Sequence, residues 1–338
     1  MAAGAGVVRG AGETAGEFIF DTAPFPSCHA STVVELANGD LMAAWFGGTA
    51  EKAPDVAIWA SRFTGGKWSP IREMVREKET PCWNPVLFHT NDKRLWFYYK
   101  FGTSPQQWTA GRQFSDDDGR TWSKVEHLPA GLYGPIRAKP LVMDDGTVVS
   151  GTSVESYHSW AVWIERSTDN GKTFARIGPI SVPGVAENAD GASGLIQPSV
   201  VSMGGKKLRL YARSTNDIAR ICVADSSDAG LTWTAARRLE VPNNNSGLDA
   251  VALRDGRVAL VYNNTTRGRS PLNLAVSMDG EKFMMFRALE DQAGGEFSYP
   301  SMIQGRDGDL HIVYTWQRKK IRHVRVALAD VPRYFRTD

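Results

Sequence analysis

The stretches FSDDDGRTW at 114–122, RSTDNGKTF at 166–174 and DSSDAGLTW at 225–233 share the pattern S-x-D-x-G-x-T-[WF], which we call the Asp-box. Their serines are 52 and 59 residues apart. A degenerate copy, VSMDGEKF, begins 51 residues after the start of the third box, and another, ASRFTGGKW, has its serine 54 residues before that of the first. A motif that recurs about every fifty residues is typical of a β-propeller, in which each repeat forms one blade.

Each repeat also contains two alternating apolar runs joined by a D-G or N-G type of turn, which is the pattern of a β-hairpin. The first strands of six such hairpins are expected to begin near Ser31, Asn84, Lys139, Gln197, Leu248 and Tyr299. The sequence therefore predicts an all-β protein, a six-bladed β-propeller of four-stranded antiparallel blades that forms one domain over residues 1–338. Residues 1–15 are predicted to be flexible. The run EFIF at 17–20 is expected to add the outer strand of the last blade and so close the ring.

The composition restricts the partners. The 39 basic and 37 acidic residues leave a formal charge of +2 with no long run of one sign, which argues against nucleic acid or a membrane surface. Cys28, Cys82 and Cys222 are odd in number and far apart, so neither a disulfide framework nor a metal motif is predicted. The opening residues lack the pattern of a signal peptide. This predicts a cytoplasmic protein, or a secreted or periplasmic one if a leader has been trimmed, and the oligomeric state is left open.

The Asp-box itself has a structural explanation. Its Ser and Asp oxygens can accept hydrogen bonds from N–H groups of the turn, its Gly can adopt a positive φ, and its Trp or Phe can pack between sheets. Asp117, Asp169 and Asp228 are therefore interpreted as residues that hold turns and not as catalytic groups.

Chemistry is expected instead in an axial cavity, where first strands begin and second strands end around the propeller axis. Arg137, Arg213 and Arg269 come from three blades but the same pole, so they are expected to converge on one anion. Paired guanidinium N–H groups suit a carboxylate. The other side chains predicted to contact substrate there are Trp45, Asn84, Lys139, Glu155, Asp249, Asn264 and Trp316.

These features resemble the sialidase (neuraminidase) superfamily over nearly the whole chain, and specifically its bacterial and plant group of predicted neuraminidases with BNR repeats. The resemblance implies an arginine triad for the sialate carboxylate, a tyrosine nucleophile backed by a glutamate, and an aspartate as acid/base. This tyrosine mechanism differs from the two-carboxylate scheme of most glycosidases. By the resemblance, Arg213 in LYARS and Arg269 in RGRSPLNLAVS are the second and third triad arginines, and Tyr299 in FSYPSM is the nucleophile.

The chain departs from the family pattern at two positions. The segment PFPSCHAST has His29 or Cys28 where the first triad arginine is expected, and IQPSVV has Gln197 where the glutamate is expected. Gln cannot accept a proton as Glu can. The acid/base is predicted to be Asp55 in GGTAEKAPDVAIW, with Glu51 as the alternative. The altered triad points away from sialic acid and towards another acidic sugar, such as a uronic acid.

Three functions fit these residues. The first is an exo-acting glycoside hydrolase that releases a terminal acidic sugar, with Tyr299 as nucleophile. The second is a lyase acting by β-elimination, for example at a rhamnosyl-glucuronate, in which arginines neutralise the uronate carboxylate and His29 or Tyr299 removes the C5 proton. The third is a glycan-binding propeller without catalysis. All three take carbohydrate as the partner, and no metal or cofactor is predicted.

Overall fold

The computed structural model describes residues 16–185 and 192–333, and the predicted flexible segment 1–15 lies outside these residues. The described part of the chain forms 25 β-strands and one short 3-10 turn at Leu328–Asp330. No helix in it is long and apolar enough to cross a membrane. The strands are grouped in six antiparallel blades, each with its first strand innermost. A short parallel pairing of Ser159 and Trp160 with Ser193 and Gly194 joins the third and fourth blades into one sheet.

The first three blades follow in chain order. The first contains β2 (Ser27–Glu35), β3 (Leu41–Gly48) and β4 (Ala57–Thr64), with β5 (Lys67–Trp68) and β6 (Arg72–Val75) at its outer edge. The second contains β7 (Cys82–His89), β8 (Leu95–Phe101), β9 (Thr109–Ser115) and β10 (Glu126–His127). The third contains β11 (Leu141–Val142), β12 (Val148–Glu155), β13 (Ser159–Ser167) and β14 (Ala175–Ile180).

The last three blades complete the ring. The fourth contains β15 (Ser193–Ser202), β16 (Leu208–Ser214), β17 (Arg220–Ser226) and β18 (Arg237–Pro242). The fifth contains β19 (Asp249–Ala252), β20 (Val258–Tyr262), β21 (Leu272–Ser277) and β22 (Phe283–Glu290). The sixth contains β23 (Phe297–Gln304), β24 (Leu310–Trp316), β25 (Lys320–Val326) and, from the other end of the chain, β1 (Gly16–Phe18).

The core is divided among the interfaces between blades. Successive side chains of a strand point to opposite faces, and a blade has a neighbour on both faces, so the inner strands are buried on both faces. In β3, Met42 and Phe46 belong to the cluster shared with the second blade, whereas Leu41 and Trp45 belong to the cluster shared with the sixth. Each adjacent pair of blades shares one such cluster, which makes six in the described residues.

The Asp-boxes lie between the third and fourth strands of their blades. Ser115 Oγ accepts a hydrogen bond from Gly119 N at 2.8 Å and donates one to Asp117 Oδ1 at 2.7 Å, and Asp117 Oδ1 accepts one from Thr121 N at 2.8 Å. The boxes of Asp169 and Asp228 repeat these contacts. Hydrogen bonds from Thr121 hold the pKa of Asp117 well below its usual range. The structure thus confirms that these carboxylates hold turns.

The ring closes as predicted from EFIF. Strand β1 pairs antiparallel with β25, with Glu17 opposite His323. His323 Nδ1 lies 3.2 Å from Glu17 Oε1, and its Nε2 lies 3.1 Å from His311 Nδ1. The closing strand therefore contacts a buried pair of histidines.

This histidine pair predicts an acid-sensitive fold. Burial, helped by the nearby His311, lowers the pKa of His323 to about 3. Below about pH 6.5 this histidine therefore becomes protonated in the unfolded chain but stays neutral in the folded protein. Stability is expected to fall as the pH drops through this window. When the pH is lowered from 6.5 to about 4.5, the free energy of unfolding measured with urea should fall by roughly 2 kcal/mol less in His323→Gln than in the unaltered protein. Equal losses in the two proteins would contradict the assignment.

Candidate active site

Four inner strands are distorted at their starts. Strands β2, β7, β15 and β23 each show a register shift there, which is a β-bulge that sets two residues opposite one. Left-handed residues stand at the bulges: Ala30 (φ 58°), Asn84 (φ 38°), Gln197 (φ 54°) and Tyr299 (φ 51°). A non-glycine residue in this conformation costs about 1–2 kcal/mol, and such strain concentrates at functional sites. These strained residues indicate that the functional site lies near the propeller axis.

The bulge residues belong to a ring of equivalent positions. The six hairpins can be aligned by the last residue of each first strand. In every hairpin this residue pairs with the first residue of the second strand, six positions later in the sequence. Five positions before that end stand Ala30, Asn84, Arg137, Gln197, Gly247 and Tyr299. A Cβ at Gly247 would lie 2.8 Å from Arg137 Nε. Glycine is therefore needed at the fifth position because the Arg137 side chain occupies the space beside it.

An axial cavity of about 150 Å³ opens at this ring. Its charged and titratable lining residues are His29, Glu51, Glu155, Arg213, Arg269, Tyr299 and Arg318, and the others are Phe46, Trp83, Asn84, Pro105, Trp108 and Gln197. Of the residues predicted from sequence, the cavity brings together His29, Glu51, Asn84, Glu155, Gln197, Arg213, Arg269 and Tyr299. Their roles stay predictions.

Tyr299 stands at the centre of the cavity contacts. Its phenol oxygen accepts hydrogen bonds from Arg213 Nη1 at 2.6 Å and from Gln197 Nε2 at 3.1 Å. The guanidinium carbons of Arg213 and Arg269 lie 5.8 and 5.6 Å from the centre of the Tyr299 ring. Two donors and nearby positive charges stabilise negative charge that develops on the phenol oxygen during a reaction.

The cavity arginines differ in their partners. Arg269 Nη1 and Arg318 Nε both donate to Glu296 Oε1, and Arg318 also pairs with Glu51. Arg213 instead bonds to neutral groups, with Nε donating to Asn245 Oδ1 at 2.8 Å and Nη1 reaching Gln197 as well as the phenol. Within the described residues, Arg213 has no salt bridge and its Nη2 has no hydrogen-bond partner. A buried guanidinium without a carboxylate is a site prepared for an anion.

His29 is a neutral base beside the tyrosine. Its ring centre lies 4.2 Å from that of Tyr299, and its Nδ1 lies 3.1 Å from Thr315 Oγ1. Complete burial, reinforced by the positive charges of Arg318 and Arg269, lowers the pKa of His29 well below its usual range. The imidazole is therefore neutral at physiological pH and can accept a proton or a hydrogen bond.

Glu155 is the cavity carboxyl with the most perturbed chemistry. It ends β12, is 8% exposed, and its Oε1 is buried with no hydrogen-bond partner in the described structure. Burial raises the pKa of Glu155 to about 7, although the charge of Arg213 opposes the shift. The sequence indicated a substrate contact here, without the unusual protonation.

The structure corrects the predicted position of Arg137. Its Nη1 donates to Leu248 O at 3.2 Å and its Nη2 to Pro300 O, and its guanidinium lies under the Tyr299 ring, 5.2 Å from the centre. The side chain therefore ties three blades together below the cavity and cannot also hold a carboxylate in it.

Lys139 and Asp249 are corrected in the same way. Lys139 Nζ lies 3.1 Å from Asp249 Oδ2 and donates to Ser301 Oγ at 2.8 Å. Asp249 also accepts bonds from Ser199 Oγ and Met302 N. These two charges satisfy each other within the ring and do not line the axial cavity.

Four further predicted residues also lie elsewhere. Trp45 is fully buried between blades and stacks on Phe20, and Trp316 packs edge-on against Phe18. Asn264 lines a separate surface groove. Asp55 Oδ2 accepts bonds from Thr49 N at 2.9 Å and Thr49 Oγ1 at 2.8 Å, which lower its pKa, and it is absent from the cavity wall. Neither tryptophan can stack on a sugar there, and Asp55 holds a turn.

Sequence reasoning missed Arg318, Phe46, Pro105 and Trp108 as cavity residues. Arg318 lies in the turn after β24, where Gln317 and Arg318 both have positive φ. Trp108 packs against Trp83, with ring centres 5.9 Å apart. A signal for the bulges was present, because Pro85, Pro198 and Pro300 follow three bulge residues, and proline inside an inner strand is tolerated at a bulge.

Within the described ranges, no group of three or more His, Cys, Asp or Glu side chains is arranged to hold a metal ion. The cavity donors are guanidinium, phenol, imidazole and amide groups. That set is suited to a charged organic ligand.

Solved structures with the same fold are sialidases and related proteins. The NanB sialidase of Streptococcus pneumoniae matches with a TM-score of 0.75 at 12% identity over 94% of this chain and 71% of that one. A protein of unknown function from Dyadobacter fermentans gives 0.75 at 15% identity, over 93% and 98%. The intramolecular trans-sialidase of Ruminococcus gnavus, in complex with oseltamivir carboxylate, gives 0.72 at 13%, over 93% and 97%. Identities this low show a common fold alone.

The six blades and these matches define a propeller of the sialidase-like class. No curated protein matches the sequence. The chain belongs to the family of BNR repeat-like domains, which matches residues 39–312.

Proposed function

We propose that the protein is a carbohydrate-active enzyme that holds a terminal acidic sugar by its carboxylate in the axial cavity and cleaves the bond joining it to a glycan. Hydrolysis with Tyr299 as the nucleophile is the first candidate reaction. The observation that carries the proposal is Arg213, a buried guanidinium whose hydrogen-bond partners are all neutral.

A carboxylate is the ligand that this electrostatic arrangement fits. It would supply the counter-charge that Arg213 lacks and could accept paired N–H bonds from a guanidinium. Arg269 also lies near Tyr299, with its guanidinium carbon 5.6 Å from the ring centre, but it already shares Glu296 with Arg318. Arg213 is therefore the primary anchor in this proposal and Arg269 a secondary one.

Tyr299 is the proposed nucleophile because its phenol oxygen accepts two N–H hydrogen bonds. The positive φ of this residue also fixes the direction of its side chain. Gln197 takes the place of a proton-accepting partner, so it can orient the phenol but cannot remove its proton. Charge stabilisation by Arg213 is the means of activation that these contacts favour.

A second candidate, β-elimination from a uronate, is favoured by one specific observation. The neutral His29 imidazole lies against the Tyr299 ring and is available to remove the proton at C5. The arginines would then stabilise the carboxylate-conjugated anion formed when that proton leaves. Tyr299 would serve as the alternative base.

A product analysis tests the proposal. Oligosaccharides with a sialic or a uronic acid at the non-reducing end, and others with a 4-linked uronic acid at the reducing end, are incubated with the protein. The products are followed by mass spectrometry and ultraviolet absorbance. Gain of the mass of water on cleavage is expected for hydrolysis, whereas elimination gives an unsaturated uronate that absorbs in the ultraviolet. Intact substrates that nevertheless bind would favour a glycan-binding propeller. Intact substrates that do not bind would contradict the proposal.

A further inference from the structure

We propose that Glu155 is the residue that transfers the proton to and from the bridging oxygen of the scissile bond. The inference rests on the proposed function and assigns the acid/base that the corrected position of Asp55 leaves open. It applies to both candidate reactions, because both expel a sugar oxygen that must be protonated.

Glu155 lies where it can contact a substrate bound in the axial cavity. It is the last residue of β12, pairs in register with Trp160, and forms part of the cavity wall. Its carboxyl oxygens make no hydrogen bond to the described residues, and Oε1 is buried. A buried carboxyl with no partner costs stability, so its presence calls for an explanation outside folding. A substrate oxygen is a partner that would satisfy it.

The other carboxyls near the cavity already form ion pairs with arginines. Glu51 pairs with Arg318, and Glu296 is shared by Arg318 and Arg269. A carboxylate that forms such a pair would have to break it before it could contact a substrate oxygen. In the described chain, Glu155 is the cavity carboxyl without an ion pair.

The electrostatic surroundings agree with this role. The charged and titratable groups sharing the cavity with Glu155 are His29, Glu51, Arg213, Arg269, Tyr299 and Arg318. Burial raises the pKa of Glu155 to about 7, against the opposing charge of Arg213. A group that titrates near the working pH can both give and take a proton efficiently.

The hydrolytic cycle balances as follows. Tyr299 reacts as the phenolate, its proton having passed to solvent water, and its oxygen forms a bond to the anomeric carbon. The C–O bond to the leaving sugar breaks, its electron pair stays on the bridging oxygen, and that oxygen takes the proton of Glu155. Water then attacks the anomeric carbon, gives a proton to the Glu155 carboxylate, and the phenolate leaves. In elimination, the base takes the C5 proton, the electrons of that bond form a C4–C5 double bond, and the C4–O bond breaks. Glu155 then protonates the oxygen that leaves from C4 of the uronate.

The test compares Glu155→Gln with the matched control Asp55→Asn. Each variant is assayed on two substrates of the same acid, one with a sugar and one with 4-nitrophenol as leaving group. The leaving group is on the anomeric carbon for hydrolysis and on C4 of the uronate for elimination. Glu155→Gln should lose roughly 10²- to 10⁴-fold in kcat/KM with the sugar leaving group and much less with 4-nitrophenol, which leaves without protonation. Activity of the unaltered protein should decline as the pH rises above about 7, and the variant should lack this decline. Asp55→Asn should retain both activities.

A stability measurement gives a readout independent of turnover. The folded-state pKa of Glu155 is raised, so its ionisation destabilises the fold as the pH rises towards 8. Glu155→Gln should therefore raise the melting temperature more at pH 8 than at pH 5. Equal losses of kcat/KM with both leaving groups, or an unchanged kcat/KM and pH profile, would overturn the assignment. An unaltered protein inactive on every substrate would instead overturn the proposed function itself.

Discussion

Tyr299→Phe is expected to lower kcat by roughly 10³-fold or more while leaving the fold and the binding of the acidic sugar in place. The change removes one oxygen, the atom that receives Arg213 Nη1 and Gln197 Nε2. Arg213 keeps its bonds to Gln197 and Asn245, so the cavity should retain its shape. Turnover of the substrate found in the product analysis gives kcat, and calorimetric titration gives the affinity.

The matched control is Tyr262→Phe. Tyr262 is also a buried strand tyrosine, but it lies outside the axial cavity and its hydroxyl forms no hydrogen bond with the described residues. This variant should keep full activity. If Tyr299→Phe also kept full activity, Tyr299 would be neither nucleophile nor base. His29 would then be the candidate for the base, and Tyr299 could at most help to bind the sugar.

Arg213→Ala should produce the largest loss of affinity. Removing one partner of a buried, hydrogen-bonded charge pair costs roughly 2–5 kcal/mol, so Kd for an acidic sugar should rise by about 30-fold to several thousand-fold. Arg213→Lys keeps the charge but not the planar fork that also bonds Asn245 and Gln197. Its affinity should fall between those of the unaltered protein and the alanine variant.

The specificity of this effect is its control. Binding of the neutral counterpart, in which the carboxylate is reduced to a hydroxymethyl group, should be weak in the unaltered protein and change little in Arg213→Ala. If the substitution weakened the acidic and the neutral sugar equally, Arg213 would shape the cavity and would not bind the carboxylate.

The fold could be predicted in detail because propeller repeats are local. The Asp-boxes and their degenerate copies mark the turn after the third strand in five blades, and the hairpin pattern marks the first two strands. The closing strand β1 could be found because an unpaired edge needs a partner, and EFIF was the strand-like run left over. None of these steps requires knowledge of side-chain direction.

The site depends on side-chain direction, and there the sequence was less informative. Trp45 and Phe46 are neighbours in β3, so they point to opposite faces. Trp45 packs in the cluster shared with the sixth blade, and Phe46 packs in the cluster shared with the second blade, where it also lines the cavity. The prediction chose the wrong neighbour. The end of β24 shows the same limit. Trp316, its last residue, packs on Phe18, whereas Arg318, two residues further along the chain, lines the cavity.

Arg137 shows a different limit. Its place in the ring is equivalent to that of Tyr299, which favoured a substrate contact. Its direction is set by Gly247 of another blade, which leaves space for the side chain, and by the carbonyls of Leu248 and Pro300 that accept its N–H groups. Contacts between residues more than a hundred positions apart cannot be deduced from one sequence.

The most direct test of the account is a crystal structure of Tyr299→Phe with an acidic oligosaccharide bound. The account predicts that the sugar carboxylate lies within hydrogen-bonding distance of Arg213, with the bridging oxygen facing Glu155. A sugar bound in the axial cavity with its carboxylate directed to solvent, or bound in a groove outside it, would contradict the account.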